Sequence, residues 1–467
     1  MTFRLGFFIL LLSASVLIEY GYAKELNAEV RAKISEVYSD NLRLSNVGEE
    51  DSALITLLAP VVELSWQGKN TTLDSVLAAE LIHYSYTSQD ALGYQQLFLQ
   101  ADQHFFENIF SVNSVFALNQ TVMDTNKNNP SSPIQVTQNV VDTLSAQLNP
   151  KLQFRLYRDS YLELDNSIAY INFIDLSEFD SIISNNQLNF NNELSQRPLL
   201  WYFSFLDQSL WMNDQQSVNI RSARAQLSYT LIGQVRLKVK ATRETYQVKK
   251  IDAETGGGNN YSLGFTYSPY DRLSMRIYFE KNYFGDSIDT SFNYKINRLD
   301  FQFINNKKLQ MNAVNRLATL TRRPSGQQTF TDQAPLQSLA ETISVSEMSE
   351  MRMGGRDART QFMTGLQRAK RTPQLGQAGS LTYSAFMSLS RKLSRLTQAS
   401  INASANRVSG TDGRFFETRS TISMNRQLSR SIFLGARYSL LKRKSYVAAT
   451  NDYLSNMLFL DLGIQFK

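Results

Sequence analysis

From Leu458 to the end of the chain, apolar residues occupy every second position. Asp461, Gly463 and Gln465 fill positions between them. A β-strand turns successive side chains to opposite faces, so this period of two indicates one apolar face and one wet face. The last segment is therefore predicted to be a strand that lies between two different environments.

The same period of two recurs along the whole chain, whereas the helical period of 3.6 is rare. Clear examples are residues 28–35, 235–242, 261–267, 273–279, 288–296, 381–389 and 432–440. A half-exposed antiparallel sheet in water also alternates. Such a sheet would not keep the alternation through about twenty strands without helices to cover its second face. The pattern therefore predicts an all-β fold, a single transmembrane antiparallel β-barrel.

The connections between the predicted strands alternate between short and long. Short ones are residues 67–70, 195–198 and 268–272, and long ones are residues 124–138 and 249–259. A repeat supports this register, because R-K-L-S-R at Arg391–Arg395 returns as R-Q-L-S-R at Arg426–Arg430, one hairpin later. Outer-membrane barrels have short periplasmic turns, longer external loops and an even strand number. The spacing predicts about 22 strands, within a range of about 18–24.

Three segments are harder to assign. Residues 305–340 are rich in Gln, Ser, Thr and Pro and show no alternating face. They are predicted to form a long external loop, and a fold back into the lumen is the alternative. Residues 341–348 are a weak strand pattern, and Pro150 marks either a strand interior or a turn.

The N-terminus reads as an export signal. Residues 1–23 carry the early charge Arg4, an apolar run from Leu5 to Leu17, and the small residues Gly21 and Ala23. These features predict a secretory signal peptide, with the barrel in residues 24–467. No stretch approaches the roughly 20 apolar residues of a membrane-spanning helix. The expected location is the outer membrane of a Gram-negative bacterium.

Basic residues are concentrated in the C-terminal half, on the wet face of their strands. If the apolar face meets lipid, these side chains line the lumen and attract anions. The alternative is that neighbouring acids such as Glu280, Asp289, Asp300 and Glu417 offset most of this charge. The candidate lumen-lining bases are Arg236, Lys238, Lys240, Arg272, Arg276, Arg419 and Arg437.

Signals for catalysis or cofactors are weak. The chain has no cysteine, and His83 and His104 are its only histidines. They lie on neighbouring predicted strands, but the usual signals of a Ser–His site are missing. The run Gly256–Gly258 precedes a strand and not a helix, so it is predicted to be a flexible external loop and not a phosphate cradle. We expect no enzyme, no cofactor, no metal site and no nucleic-acid partner.

Three segments resemble the outer-membrane barrel family associated with PEP-CTERM/exosortase and exopolysaccharide gene clusters. They are E-V-Y-S-D-N-L-R-L at residues 36–44, Y-S-P-Y-D-R-L-S-M-R-I-Y-F-E-K-N-Y-F-G-D-S at residues 267–287, and N-D-Y-L-S-N-M-L-F-L-D-L-G-I-Q-F at residues 451–466. The resemblance implies a barrel encoded beside exopolysaccharide synthesis and export genes. It supplies no catalytic residues.

The expected function is a porin-like conduit or accessory pore in exopolysaccharide export or envelope assembly. The alternative is a plugged structural barrel that anchors a surface polymer or protein. Expected partners are outer-membrane lipid and lipopolysaccharide, periplasmic polysaccharide-export proteins and an anionic polysaccharide. The barrel-assembly machinery is expected to recognise the C-terminal signal formed by Leu462, Ile464 and Phe466.

Overall fold

The computed structural model describes residues 25–466 with gaps in the connections. The gaps are at 86, 88–90, 107–108, 123–129, 131–133, 138, 158, 175, 177–179, 193–197, 214–216, 232–233, 250–252, 312–316, 318–320, 322–342, 374–378, 411–412 and 447–451. The predicted signal peptide lies outside the described residues. Within the described part of the chain, no helix is long and apolar enough to cross a membrane.

The described residues form 22 β-strands, most of them 13–15 residues long. In chain order the strands are β1 Glu25–Ser39, β2 Ala53–Gln67, β3 Thr71–Ser85, β4 Leu92–Phe105, β5 Phe110–Val122, β6 Val140–Tyr157, β7 Ser160–Phe173, β8 Ser181–Asn191, β9 Leu199–Met212, β10 Ser217–Thr230, β11 Val235–Lys249, β12 Ala253–Tyr270, β13 Leu273–Lys281, β14 Ser287–Ile296, β15 Leu299–Met311, β16 Ile343–Arg356, β17 Thr360–Pro373, β18 Ser380–Lys392, β19 Thr397–Gly410, β20 Gly413–Gln427, β21 Ile432–Ser445 and β22 Tyr453–Phe466.

Each strand pairs antiparallel with the next, and the last pairs with the first. The closing pair runs from Val30 opposite Phe466 to Ser39 opposite Met457. The sheet is thus a closed barrel without a free edge, which is what a sheet in lipid requires because unpaired backbone groups there cost several kcal/mol each. The predicted closed antiparallel barrel and its strand number are confirmed.

An apolar belt surrounds the barrel near the end that carries the termini, which we name the terminal end. On β11, Leu237 and Val239 point outward and are about half exposed. On β22, Leu458, Leu460 and Leu462 do the same. Their neighbours Lys238 and Asp461 point to the opposite face, so the alternation read from the sequence separates the lipid face from the lumen face.

Toward the other end, which we name the loop end, the strands continue beyond this belt. There some outward positions are polar: on β9 and β10, Asp207 forms an outward ion pair with Arg221, with 3.3 Å between Oδ2 and Nε. With water on both sides, a strand no longer needs to alternate in hydropathy. This explains two differences from the sequence predictions, because residues 253–259 belong to β12 and residues 305–311 belong to β15, where loops were expected.

Gly256–Gly258 also lie in β12, so the prediction of a flexible loop at the G-G-G run is wrong. These glycines make room for neighbouring groups on the lumen wall. A Cβ on Gly256 would collide with the ring of Tyr246, and one on Gly258 would collide with Tyr283. Gly257 has a φ of 138° and lies against the carbonyl oxygen of Glu244, so close packing and a left-handed backbone both require glycine.

Pro150 lies inside β6 and not in a turn. It pairs with Val112 of β5 on one side. On the other side, the pairing with β7 is interrupted between Leu148 and Lys151. Proline has no N–H to donate to a ladder, which accounts for a local break in a strand that otherwise continues.

The short turns at the terminal end match the repeat found in the sequence. In the turn after β18, the N–H groups of Leu393 and Ser394 donate to the Thr397 carbonyl, at 2.9 and 3.2 Å. In the turn after β20, Leu428 and Ser429 donate in the same way to Ile432, also at 2.9 and 3.2 Å. The two R-x-L-S-R segments therefore each end one strand and form the turn that follows it, with the same geometry.

Candidate functional site

The lumen is the candidate functional site because its wall, midway between the two ends, carries polar and charged side chains. Two parts of this wall differ in chemistry. The wall formed by β4–β9 is lined mainly by carboxamides and hydroxyls. The wall formed by β11–β14 and β20–β22 carries pairs of bases and acids.

A continuous polar row crosses β4–β9, and we name it the amide row. Its members face one another across successive strands in direct register, apart from the ladder break beside Pro150. The row consists of Asp102, Asn113, Asn149, Ser167, Asn185 and Gln208.

Hydrogen bonds join neighbours in the amide row. Asn113 Nδ2 donates to Asp102 Oδ1 at 2.6 Å, and Asn149 Nδ2 donates to Asn113 Oδ1 at 2.8 Å. Gln147 Nε2 bridges Asn149 Oδ1 at 2.8 Å and Ser167 Oγ at 3.0 Å. These bonds fix the orientation of each carboxamide in the row, so the wall presents a preorganised set of donors and acceptors.

A cavity of about 590 Å³ lies against the amide row. Leu317 and Thr321, from the connection between β15 and β16, line its other side. Leu317 is buried among apolar residues of the lumen wall, including Met311 and Ile343. The described residues of this connection thus lie inside the barrel, which is the arrangement considered above as the alternative to an external loop.

Two further connections fold inward at the loop end. Leu42, from the connection after β1, and Ile134, from the connection after β5, are fully buried against the wall, beside Tyr84 and Phe459. Asn41 fixes the first of these connections by bonding to the backbone of Ser45 and to the Leu454 carbonyl at 2.9–3.0 Å. These inward connections narrow the lumen at its loop end.

Six of the seven candidate lumen-lining bases point into the lumen. The exception is Arg272, an exposed residue of the turn between β12 and β13, because β12 continues to Tyr270 and leaves only residues 271–272 for the turn. The other six are Arg236, Lys238, Lys240, Arg276, Arg419 and Arg437.

Acidic neighbours accompany most of these bases. Ion pairs join Lys240 to Glu280 at 2.7 Å and Arg419 to Glu417 at 3.4 Å. Arg276 lies 3.7 Å from Asp289. These three of the six inward bases thus have an acidic partner, so acids offset part of the charge of this wall.

Arg437 occupies a different environment on β21. Its guanidinium lies 3.7 Å from the ring centre of Phe459, which is 2% exposed. Asp461 interacts with Arg437 electrostatically and pairs with Lys33 at 3.4 Å. Phe459 is thus covered by protein and does not offer its ring face to the lumen.

The predicted assembly signal lies on the outer face of β22. Phe466 is 59% exposed and pairs with Val30, and Leu462 is 41% exposed. Ile464 is partly buried on the same outward side of the strand. These three residues form part of the lipid-facing belt where β22 meets β1.

The two histidines are not close to each other. His83 points outward near the loop end of β3, whereas His104 lines the lumen near the terminal end of β4. They lie on opposite faces of the sheet, so they do not form one site. Among the described residues, no group of three or more His, Cys, Asp or Glu side chains is arranged to hold a metal ion.

The sequence predictions missed the amide row. Its signal is a period of two in polar residues, visible in Asn185, Gln187 and Asn189 of β8. Uncharged polar residues at alternate positions indicate only a wet face, and the sequence does not show which of them lie opposite one another across strands.

Comparison with solved structures finds barrels that carry iron compounds. The FrpB iron transporter of Neisseria meningitidis (F5-1 variant) has a TM-score of 0.57 and 10% identity over 95% of this chain and 83% of that chain. The ferric-catecholate import receptor Fiu of E. coli K12, in its open form, gives 0.56 and 8% over 94% and 82%. The ferric preacinetobactin receptor BauA of Acinetobacter baumannii gives 0.51 and 8% over 95% and 81%.

No protein-family model and no curated protein sequence matches the chain. At this low identity, the similarity to these three iron-related barrels shows a shared fold and gives no information about what this barrel transports. Together with the lipid-facing belt and the closed 22-strand sheet, it identifies the chain as an outer-membrane β-barrel.

Proposed function

We propose that this barrel is a conduit for an exopolysaccharide across the outer membrane. The observation that carries the proposal is the hydrophilic lining midway through the lumen, which comprises the amide row on β4–β9 and the ion pairs on β11–β14 and β20–β22. A passage for a hydrated polymer needs many weak polar contacts that hold the chain without trapping it.

Barrel size supports the same proposal. Barrels of eight strands are filled by their own side chains, whereas those of 16–22 strands enclose a channel or a plugged lumen. In the described part of the chain, everything outside the strands belongs to connections between them, so the lumen of this 22-strand barrel is not filled by a separate folded unit of those residues. The exopolysaccharide as cargo comes from the resemblance of residues 36–44, 267–287 and 451–466 to the PEP-CTERM-associated family.

In this proposal the loop end faces the outside and the terminal end faces the periplasm, as in bacterial outer-membrane barrels. Periplasmic polysaccharide-export proteins would then dock at the terminal end, where the turns are short. The exposed Phe466 on the outer face of β22 is the residue that the barrel-assembly machinery would recognise.

A second candidate is a plugged barrel that anchors a surface polymer or protein. The inward connections favour it, because Leu42, Ile134 and Leu317 are all buried inside the barrel near the loop end. In that case the connections would stay in place and no polymer would pass.

Deletion of the gene tests the conduit. We expect loss of polymer from the cell surface while synthesis continues, so that polymer accumulates inside the cell envelope. Complementation with the wild-type gene should restore the surface polymer. Unchanged surface polymer in the deletion strain would remove the conduit proposal and leave a barrel that anchors a surface protein, whereas polymer shed into the medium would indicate a polymer anchor.

A further inference from the structure

The amide row has unused hydrogen-bonding capacity on its cavity side. A carboxamide offers two donor hydrogens and two acceptor lone pairs. Asn113 uses one donor on Asp102 and one acceptor for Asn149. Asn149 likewise uses one donor on Asn113 and one acceptor for Gln147. Each therefore keeps one donor and one acceptor for a ligand in the cavity that both residues line.

This pairing of donor and acceptor at each position matches a hydroxyl group, which also donates one hydrogen bond and accepts others. Neighbouring strands are about 4.8 Å apart, so the six residues of the row span roughly 24 Å of the wall. A row of this length presents several such positions in sequence. Leu317 and Ile183 line the same cavity but are only 5% and 2% exposed, so the groups that face a ligand there are mainly polar.

The charge around the row opposes an anionic ligand. The basic residues that line the cavity are Lys151 and His104, and Lys151 pairs with both Glu163 and Asp165. The carboxylate of Asp102 stands at one end of the row. Acids thus outnumber bases beside the cavity, and a carboxylated or sulfated sugar would meet like charge here.

We propose that the amide row is a binding subsite for the hydroxyl groups of an uncharged polysaccharide. The inference rests on the proposed conduit function for its biological meaning, and it changes the expected polymer from anionic to neutral. The cavity volume of about 590 Å³ falls within the ordinary range of ligand pockets, roughly 300–1,000 Å³, and holds a short stretch of sugar units.

Equilibrium binding to the purified, detergent-solubilised barrel tests the subsite without requiring transport. The probes are three neutral hexasaccharides, maltohexaose, cellohexaose and mannohexaose, and the anionic hexagalacturonate, each titrated calorimetrically into the full-length protein. We expect at least one neutral hexasaccharide to bind with a millimolar or lower Kd, and hexagalacturonate to bind more weakly.

The paired variants are Asn113→Leu with Asn149→Leu, and the matched control is Asn402→Leu. Asn402 is an inward carboxamide of β19 that accepts a hydrogen bond from Ser388 at 2.7 Å, on a different part of the wall. The double variant should lose at least tenfold in affinity, and the control should keep wild-type affinity. Gel migration that changes on heating verifies that each variant is folded, and single variants replace the double one where it fails to fold.

Absence of binding for all three neutral probes, equal affinity in the double variant and the control, or tighter binding of hexagalacturonate would each overturn the subsite. The deletion phenotype is independent of this result. If the purified barrel binds a sugar through the amide row but deletion of the gene leaves polymer export unchanged, the conduit is refuted and the subsite stands. If deletion abolishes polymer export but the purified barrel binds none of the neutral sugars, the subsite is refuted and the conduit stands.

Discussion

The position of the apolar belt can be tested with one charge placed at two heights on the same strand. Val239 and Gln247 both point outward on β11. Val239 lies four residues from the terminal end of β11 and is 51% exposed. With a rise of about 3.3 Å per residue and a tilt near 40°, it lies about 10 Å from that end, close to the middle of a belt about 25 Å tall.

Gln247 lies eight residues further along β11, about 20 Å above Val239 by the same geometry. It pairs with Asn219 and Thr255, which are polar. A side chain at this height is outside the hydrocarbon. We therefore expect Val239→Arg to lower the free energy of unfolding by about 2–4 kcal/mol, and Gln247→Arg to change it by at most about 1 kcal/mol.

Reversible guanidinium unfolding of the barrel in phosphatidylcholine vesicles measures both values. The emission of its three tryptophans gives the signal. Trp201 lies on the outer face of β9 near its terminal end, within the belt, so its signal reports the loss of contact with lipid. Equal losses for the two variants, or a larger loss for Gln247→Arg, would refute the assignment of the belt to the terminal end.

The remaining predictions concern folding and assembly. Asn41→Ala should lower the free energy of unfolding by about 2–4 kcal/mol, because a fully buried carboxamide with three backbone bonds is lost; a loss under about 0.5 kcal/mol by the same assay would contradict its role. Gly257→Ala should lower the free energy of unfolding by about 1–3 kcal/mol because alanine is strained at this backbone conformation. Gly93→Ala, where a Cβ has ordinary space, should leave the free energy of unfolding nearly unchanged. Similar losses for the two variants would disprove the strain. Phe466→Ala should reduce the heat-modifiable barrel in outer-membrane fractions several-fold more than Gln465→Ala, and equal yields would refute the assembly signal.

The sequence predicted the strands well wherever one face meets lipid. In β22, Leu458 to Phe466 alternate because the belt and the lumen differ in polarity, and the strand was placed correctly. In β12 and β15, residues 253–259 and 305–311 extend beyond the belt, where both faces are wet. Hydropathy carries no period there, so strands were mistaken for loops.

The site was predicted less completely than the fold. The inward position of Lys240 and Arg419 follows from the alternation of side chains along a single strand, so the sequence alone was enough to predict it. Their neutralisation by Glu280 and Glu417 depends on which residues become neighbours, and that is set by register. The amide row depends on register across six strands, and Leu317 reaches the cavity through the fold of a long connection, which no periodicity encodes.

Single-channel recording in planar bilayers tests the conduit most directly. The purified, refolded barrel, verified by heat-dependent gel migration, should produce discrete conductance steps. Leu317→Ala, which weakens the packing of one inward connection, should raise the size of the steps or their fluctuation. A folded barrel that conducts no more than the bare bilayer, both as wild type and as this variant, would contradict the conduit and favour a plugged barrel in its place.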